Sequence, residues 1–325
     1  LARSRKRFTL VLLATLLLAL VIGPAAAHPG HEHLDLRVAK IVALPGQAEE
    51  EAQQSAALTG QRYPWLFERT EEDRPDERTG RLIHVVYLLA AANPDDHYDE
   101  LGVIEDSIRS MNVWMKQQTG NQQWRFDTYT FQPESSPTPV NAIDVTFIHS
   151  SKPSPQLNSA TTVQAELEAH GLDDNNKRYL SYVASNAGGV CGDAWYPFTP
   201  DATPVDGQYS QVYLYSSAGC RAQEFAPNAT TPSFAETIAM QEMIHNDGMV
   251  PLVAPHDCVV SPLAFGHVCT GPLWATDLDP ERFDVMYPYV GLPLSEKQLD
   301  ADHLDYYRQL APYKDLEQSL YLETV

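Results

Sequence analysis

The sequence predicts an α/β fold: a mixed, twisted sheet with two or three helices, followed by an irregular C-terminal subdomain. Three observations carry that expectation. A continuous apolar run at 82–89 suits a strand buried on both faces. From there to residue 248, segments with a helical period alternate with segments that read as strands. Beyond residue 248, prolines and tyrosines are numerous and few regular elements are expected.

The N-terminus opens on Arg3, Arg5, Lys6 and Arg7, continues as an apolar run at 8–22, and reaches Ala25, Ala26 and Ala27. That order is the pattern of a secretory signal peptide at 1–27, with cleavage expected after Ala27. The run is short for a membrane span, an uncleaved anchor being the alternative. The mature chain is thus expected to be exported, with no membrane partner after cleavage. Residues 28–80 read as an acidic, extended lead-in or pro-segment, with His28, His31 and His33 at its start and acidic runs at 49–51 and 68–77. Residues 81–325 read as the globular domain.

Charge excludes some partners. Of the 22 basic residues, four fall in the leader, so the remainder carries 18 against all 43 acidic residues. Such a surface repels phosphates, and neither nucleic acid nor anionic lipid is expected as a partner. Four cysteines in an exported chain suggest two disulfides. Cys191 with Cys220 and Cys258 with Cys269 are the local pairings, among three possible connectivities.

Within the domain, Leu101, Ile104, Ile108, Met111 and Met115 recur at helical spacing, and Gly120 is placed to end that helix. Residues 124–131 and 143–148 read as strands, 161–170 as a helix stopping at Gly171, and 179–184 and 211–215 as two further strands. His84, His97, His149 and His170 fall in or beside these elements without a motif and read as structural or surface groups. A third helix starts at Ser233, which forms a capping box with Glu236, and runs to about Asp247 before closing at Gly248.

That third helix carries the chemistry. Gln241-Glu242-Met243-Ile244-His245 is an H-E-x-x-H zinc-peptidase helix with glutamine in place of the first histidine. Gln241 and His245 lie one turn apart on one face, so the geometry for joint ligation is kept. Downstream stand Ala254-Pro255-His256, Gly266-His267 and Asp284-Val285-Met286-Tyr287.

Taken together, these segments resemble the metzincin group of zinc metallopeptidases, whose pattern is H-E-x-x-H-x-x-G-x-x-H followed by a methionine turn. The chain resembles it through Glu242, His245, Gly248 and the turn at 284–287, and is more closely similar to a secreted bacterial branch with an extended spacer before A-P-H, G-H and D-x-M-Y. The resemblance covers roughly 81–325. It implies a zincin-like α+β fold, a Zn2+ cofactor, a peptide or protein substrate, His245 and His256 as metal ligands, and Glu242 as general base. It also implies that Met286 packs beneath the site beside Tyr287. Two departures stand out. The next histidine follows His245 after eleven residues rather than six, which makes His267 a rival to His256. Gln241 offers an amide oxygen where zinc prefers imidazole nitrogen or thiolate.

Two functional classes follow. One is a secreted zinc metallopeptidase with weakened or rearranged ligation, in which Gln241 or His267 completes the metal set. The other is a catalytically inactive protein of the same fold, which binds a peptide or protein in the former cleft.

Overall fold

The computed structural model describes residues 36–42, 62–197, 209–216, 219–250, 254–258, 266–271, 278–302, 305–308 and 315–325. The expected leader, the histidines at 28, 31 and 33, and the acidic run at 49–51 lie outside them. Among the described residues no helix is long and apolar enough to cross a membrane.

Among the described residues, ten strands and three α-helices form a mixed α/β fold. They are β1 (Leu36–Val42), β2 (Leu82–Ala91), α1 (Val103–Thr119), β3 (Gln122–Trp124), β4 (Thr128–Phe131), β5 (Val140–Ile143), β6 (Val145–Pro153), α2 (Ala160–Ala169), β7 (Lys177–Ala184), β8 (Val190–Pro197), β9 (Tyr209–Tyr213), α3 (Phe234–Asn246) and β10 (Leu322–Thr324). Six strands make one sheet in the order β1-β8-β9-β7-β2-β6. The strands β6, β2, β7 and β9 run parallel, while β8 pairs antiparallel with both β9 and β1.

The central strand shows why an unbroken apolar run belongs here. Side chains alternate across a sheet, so a strand covered on both faces needs apolar residues at every position. Ile83, Val85, Tyr87 and Leu89 pack in the cluster that includes Ile104, Ile108 and Met111 of α1 and Ile238 and Met243 of α3. Val86, Leu88 and Ala90 pack on the opposite side with Val163 and Leu167 of α2. Helices α1 and α3 therefore cover one face and α2 the other.

Several elements differ from the expectation for physical reasons. The single strand expected at 124–131 is two strands. β3 pairs with the C-terminal β10, and β4 forms a ribbon with β5. Between them, Asp127 is drawn inward by Lys177 Nζ at 2.8 Å and by His84 Nδ1 at 3.2 Å. Strand β8 carries a glycine, an aspartate and a proline, which hid it from an alternation reading. Where an extended lead-in was expected, β1 adds a strand to the sheet. From Arg62 the lead-in is anchored: Arg62 and Tyr63 bond Asp106, and Arg69 bonds Asp95 and Asp99.

Both local disulfides are formed, Cys191–Cys220 and Cys258–Cys269, with Cα–Cα separations of 5.1 and 5.3 Å. Two such bridges fit a protein of an oxidising, extracellular compartment.

Candidate metal centre

Helix α3 is buried along its whole length, from Phe234 to Asn246. A helix enclosed on every side has no water to satisfy its first N–H groups, so its start depends on the capping box of Ser233 and Glu236. Its far end turns out of helix at Gly248, whose φ of 73° is the left-handed conformation glycine adopts without strain.

One face of α3 lies against the sheet through Gly192 of β8. A Cβ at that position would stand 2.7 Å from Gln211 O, Glu242 Oε1 and Ile238 Cγ2. The absence of a side chain thus lets the helix come down onto β8 and seats the Glu242 carboxylate beside the strand. Neither Glu242 oxygen has a hydrogen-bond partner, although the residue is fully buried. Burial pushes the Glu242 carboxyl well above the usual carboxylate range, and nearby Asp193 adds to the effect. Asp193 itself accepts from Tyr213 Oη at 2.9 Å and from Ala160 N at 2.8 Å.

The neighbouring turn of α3 faces a different partner. Residues 256–258 and 267–269 form a short antiparallel ribbon: Cys258 N donates to His267 O at 2.9 Å, Cys269 N donates to His256 O at 2.8 Å, and Asp257 bridges Val268. The ribbon brings His267 onto His245. Their Nε2 atoms are 3.2 Å apart, and their rings meet edge-to-face with centroids 4.6 Å apart. Both residues are fully buried. Burial pushes the His245 imidazole well below the ordinary histidine range, with His267 beside it contributing.

The segment 284–287 is bonded to both the ribbon and the helix. Asp284 Oδ1 accepts from Met286 N and Tyr306 Oη, each at 2.7 Å, and Met286 O accepts from Val268 N of the ribbon at 3.0 Å. Met286 is fully buried. Gln241 donates its amide N–H to Tyr287 O, which ties the helix to this turn. The other amide atom, Gln241 Oε1, is buried without a hydrogen-bond partner.

Of the residues singled out in the sequence, Gln241, Glu242, His245 and Gly248 thus share one helix and its cap, His267 meets His245, and Met286 and Tyr287 lie in the turn bonded to both. His256 points elsewhere. Its Nδ1 lies 2.9 Å from Asp302 Oδ2 and 3.0 Å from Asp305 Oδ2, and its side chain is 32% exposed. Burial is the largest single influence and lowers its proton affinity, but the hydrogen bond and charge of Asp305, with the charges of Asp302 and Glu281, together outweigh it and raise its pKa.

Comparison with protein-family models finds none that matches this chain, and comparison with curated proteins finds no match. What the centre can do therefore rests on its own geometry.

Two imidazole nitrogens are donors that a metal ion can take. Two imidazole nitrogens on one tetrahedral zinc, each at about 2.0–2.1 Å, stand about 3.3–3.4 Å apart. The observed 3.2 Å between His245 and His267 is close to that separation. Gln241, one turn before His245 on the helix, carries a further oxygen, Oε1, that is buried without a hydrogen-bond partner.

Among the described residues, two further groups combine histidine and carboxylate with donor atoms within 4.8 Å of one another. One is His256 with Asp302 and Asp305. The other is His84 with Asp73, Asp127 and Asp144, and it already holds a cation: Lys177 Nζ lies 2.7 Å from Asp73, 2.8 Å from Asp127 and 2.5 Å from Asp76. Burial opposes the Lys177 charge, but those hydrogen bonds outweigh it and hold its pKa above the ordinary lysine value.

Sequence reasoning missed Asp193 and Gly192, which define the sheet side of Glu242. The available signal was a glycine inside a strand, which marks close approach of another element, but the strand itself had not been recognised.

Proposed function

We propose that this protein is an exported zinc-dependent peptidase of the metzincin type with rearranged ligation. His245 and His267 hold the metal, Gln241 Oε1 supplies a weaker third donor, and His256 is outside the set. The observation that carries this reading is the 3.2 Å approach of two buried imidazole Nε2 atoms. Two lone pairs at that distance repel unless a proton or a cation lies between them.

Zinc, when bound, supplies Lewis acidity for attack of water on a peptide carbonyl. The chain's own groups do the rest. Glu242, one position from Gln241 and one turn from His245, removes the proton from the attacking water and returns it to the leaving amine. Its burial without a hydrogen-bond partner supports that role, because it raises the proton affinity of a group that must take up a proton and hold it between two steps. The turn at Met286 and Tyr287 shields the pair from below and fixes Gln241 through the Tyr287 carbonyl.

One observation favours a second reading. The Gln241 amide is already engaged by Tyr287 O, a purely structural use of the side chain, as in an inactive scaffold that binds peptides. Hydrolysis of an unfolded protein substrate by the zinc-loaded chain and by its Glu242→Gln variant separates the two. The peptidase reading expects turnover that falls about 10²–10⁴-fold in the variant while zinc is retained. Zinc binding with no turnover in the unaltered chain leaves the scaffold reading.

A further inference from the structure

We propose that the Cys258–Cys269 disulfide is the positioning element of the metal pair: it holds His267 against His245, and zinc affinity depends on its being closed. This rests on the zinc reading above and concerns which part of the chain sets the strength of the site.

The ligand on α3 needs no help, since His245 belongs to a helix enclosed by the core. His267 lies instead outside the helices and named strands, in a ribbon whose two described arms, 256–258 and 266–269, are joined by the two backbone hydrogen bonds of the Asp257–Val268 bridge and by Gly266 N donating to Asp257 Oδ1 at 3.0 Å. The only backbone bond from the ribbon to the methionine turn, among the described residues, is Val268 N to Met286 O at 3.0 Å. An isolated ribbon of this length is marginal. The covalent link removes the open states: the cysteines are eleven residues apart, and closing such a loop restrains it by about a hundredfold. Both cysteines are buried, at 1% and 4% exposure, and they flank His267 closely: Cys258 donates to the His267 carbonyl and Cys269 is two residues on. Cys191–Cys220 has a different task. It ties β8 to the segment before α3 and touches neither histidine in sequence or hydrogen bonding.

Linkage makes the effect reciprocal. If bridge closure raises zinc affinity, bound zinc protects the closed bridge by the same factor. A water-soluble phosphine opens a disulfide by transferring oxygen from water to phosphorus: the S–S bond breaks, each sulfur receives a hydrogen, and the phosphine leaves as its oxide.

The test is calorimetric titration of the full chain with zinc, for the unaltered protein, His267→Ala, Cys258→Ser/Cys269→Ser and the combined variant. At least a tenfold loss is expected for the double serine variant, and His267→Ala should cost much less on that background than in the bridged chain. A second measurement covers failure of the serine variant to fold. Phosphine reduction of the unaltered protein, followed by thiol labelling and peptide mass mapping, should be at least tenfold slower at Cys258–Cys269 with zinc than without. The same protection should vanish in His267→Ala. Zinc affinity unchanged by the serine pair, with His267 still mattering, overturns the proposal, as does equal reduction with and without zinc. Absence of zinc binding by the unaltered chain is a separate outcome: it overturns the zinc reading itself and this inference with it.

Discussion

Gly192→Ala is the substitution whose consequence can be worked most directly from the packing. The added methyl would meet Gln211 O, Glu242 Oε1 and Ile238 Cγ2, each at 2.7 Å. Ordinary carbon contacts begin near 3.5 Å, so all three must give by about 0.8 Å. Gln211 O is sheet backbone paired within the β8–β9 ladder, and Ile238 and Glu242 belong to a buried helix, so no flexible side-chain end can absorb the whole shift. Helix α3 must instead move away from β8. Overpacking of this kind destabilises by about 1–3 kcal/mol. Urea denaturation with both disulfides intact measures it, as a lower midpoint at unchanged slope. The same movement displaces Glu242 and, one turn on, His245, so on the peptidase reading proposed above turnover should fall by more than the stability loss explains. A loss below about 0.5 kcal/mol with turnover intact would refute the close-approach reasoning.

Other expectations follow from the same packing. Cys191→Ser/Cys220→Ser opens a loop spanning 29 residues and should lower stability by about 3–4 kcal/mol, read by denaturant titration. Arg178→Met leaves buried Asp247 without the guanidinium that pairs with it and stacks on Tyr321 at 3.9 Å. Breaking such a pair costs about 3–5 kcal/mol, visible in the same assay. Lys297, fully buried, has its pKa pushed down to about 7 by burial, against the opposing charge of Asp284. Between pH 7 and the ordinary lysine value of 10.5 the unfolded chain holds the extra proton, so this group makes stability rise with pH, by up to about 1.4 kcal/mol per unit. Urea midpoints at pH 7 to 10 should show that rise in the unaltered protein and lose it, relative to the other groups, in Lys297→Met.

Much of this fold was legible because its signals are local. The apolar run of β2, the helical spacing of α1 and the capping box and closing glycine of α3 each depend on a few neighbouring residues, and each element stands close to its expected place. The same held for the disulfides, whose partners are near in sequence. What stayed hidden was set by tertiary contact. Strand β8 is a strand because β1 and β9 flank it, despite Gly192, Asp193 and Pro197 in its sequence. Asp127 interrupts an alternating segment because Lys177, on another strand, calls its charge inward. At the candidate site, the helix residues could be placed on one face by periodicity, but the histidine that joins them could not. Spacing along the chain left His256 and His267 as rivals. Asp302 and Asp305 engage His256, whereas the ribbon brings His267 onto His245, and neither contact is written in the spacing of the chain.

The most direct measurement is zinc content per chain by elemental analysis after dialysis, for the unaltered protein and for His245→Ala, His267→Ala and His256→Ala. The account predicts near one zinc in the unaltered chain and in His256→Ala, and little in the other two. No zinc in the unaltered chain would contradict it, and so would zinc kept by His267→Ala but lost from His256→Ala.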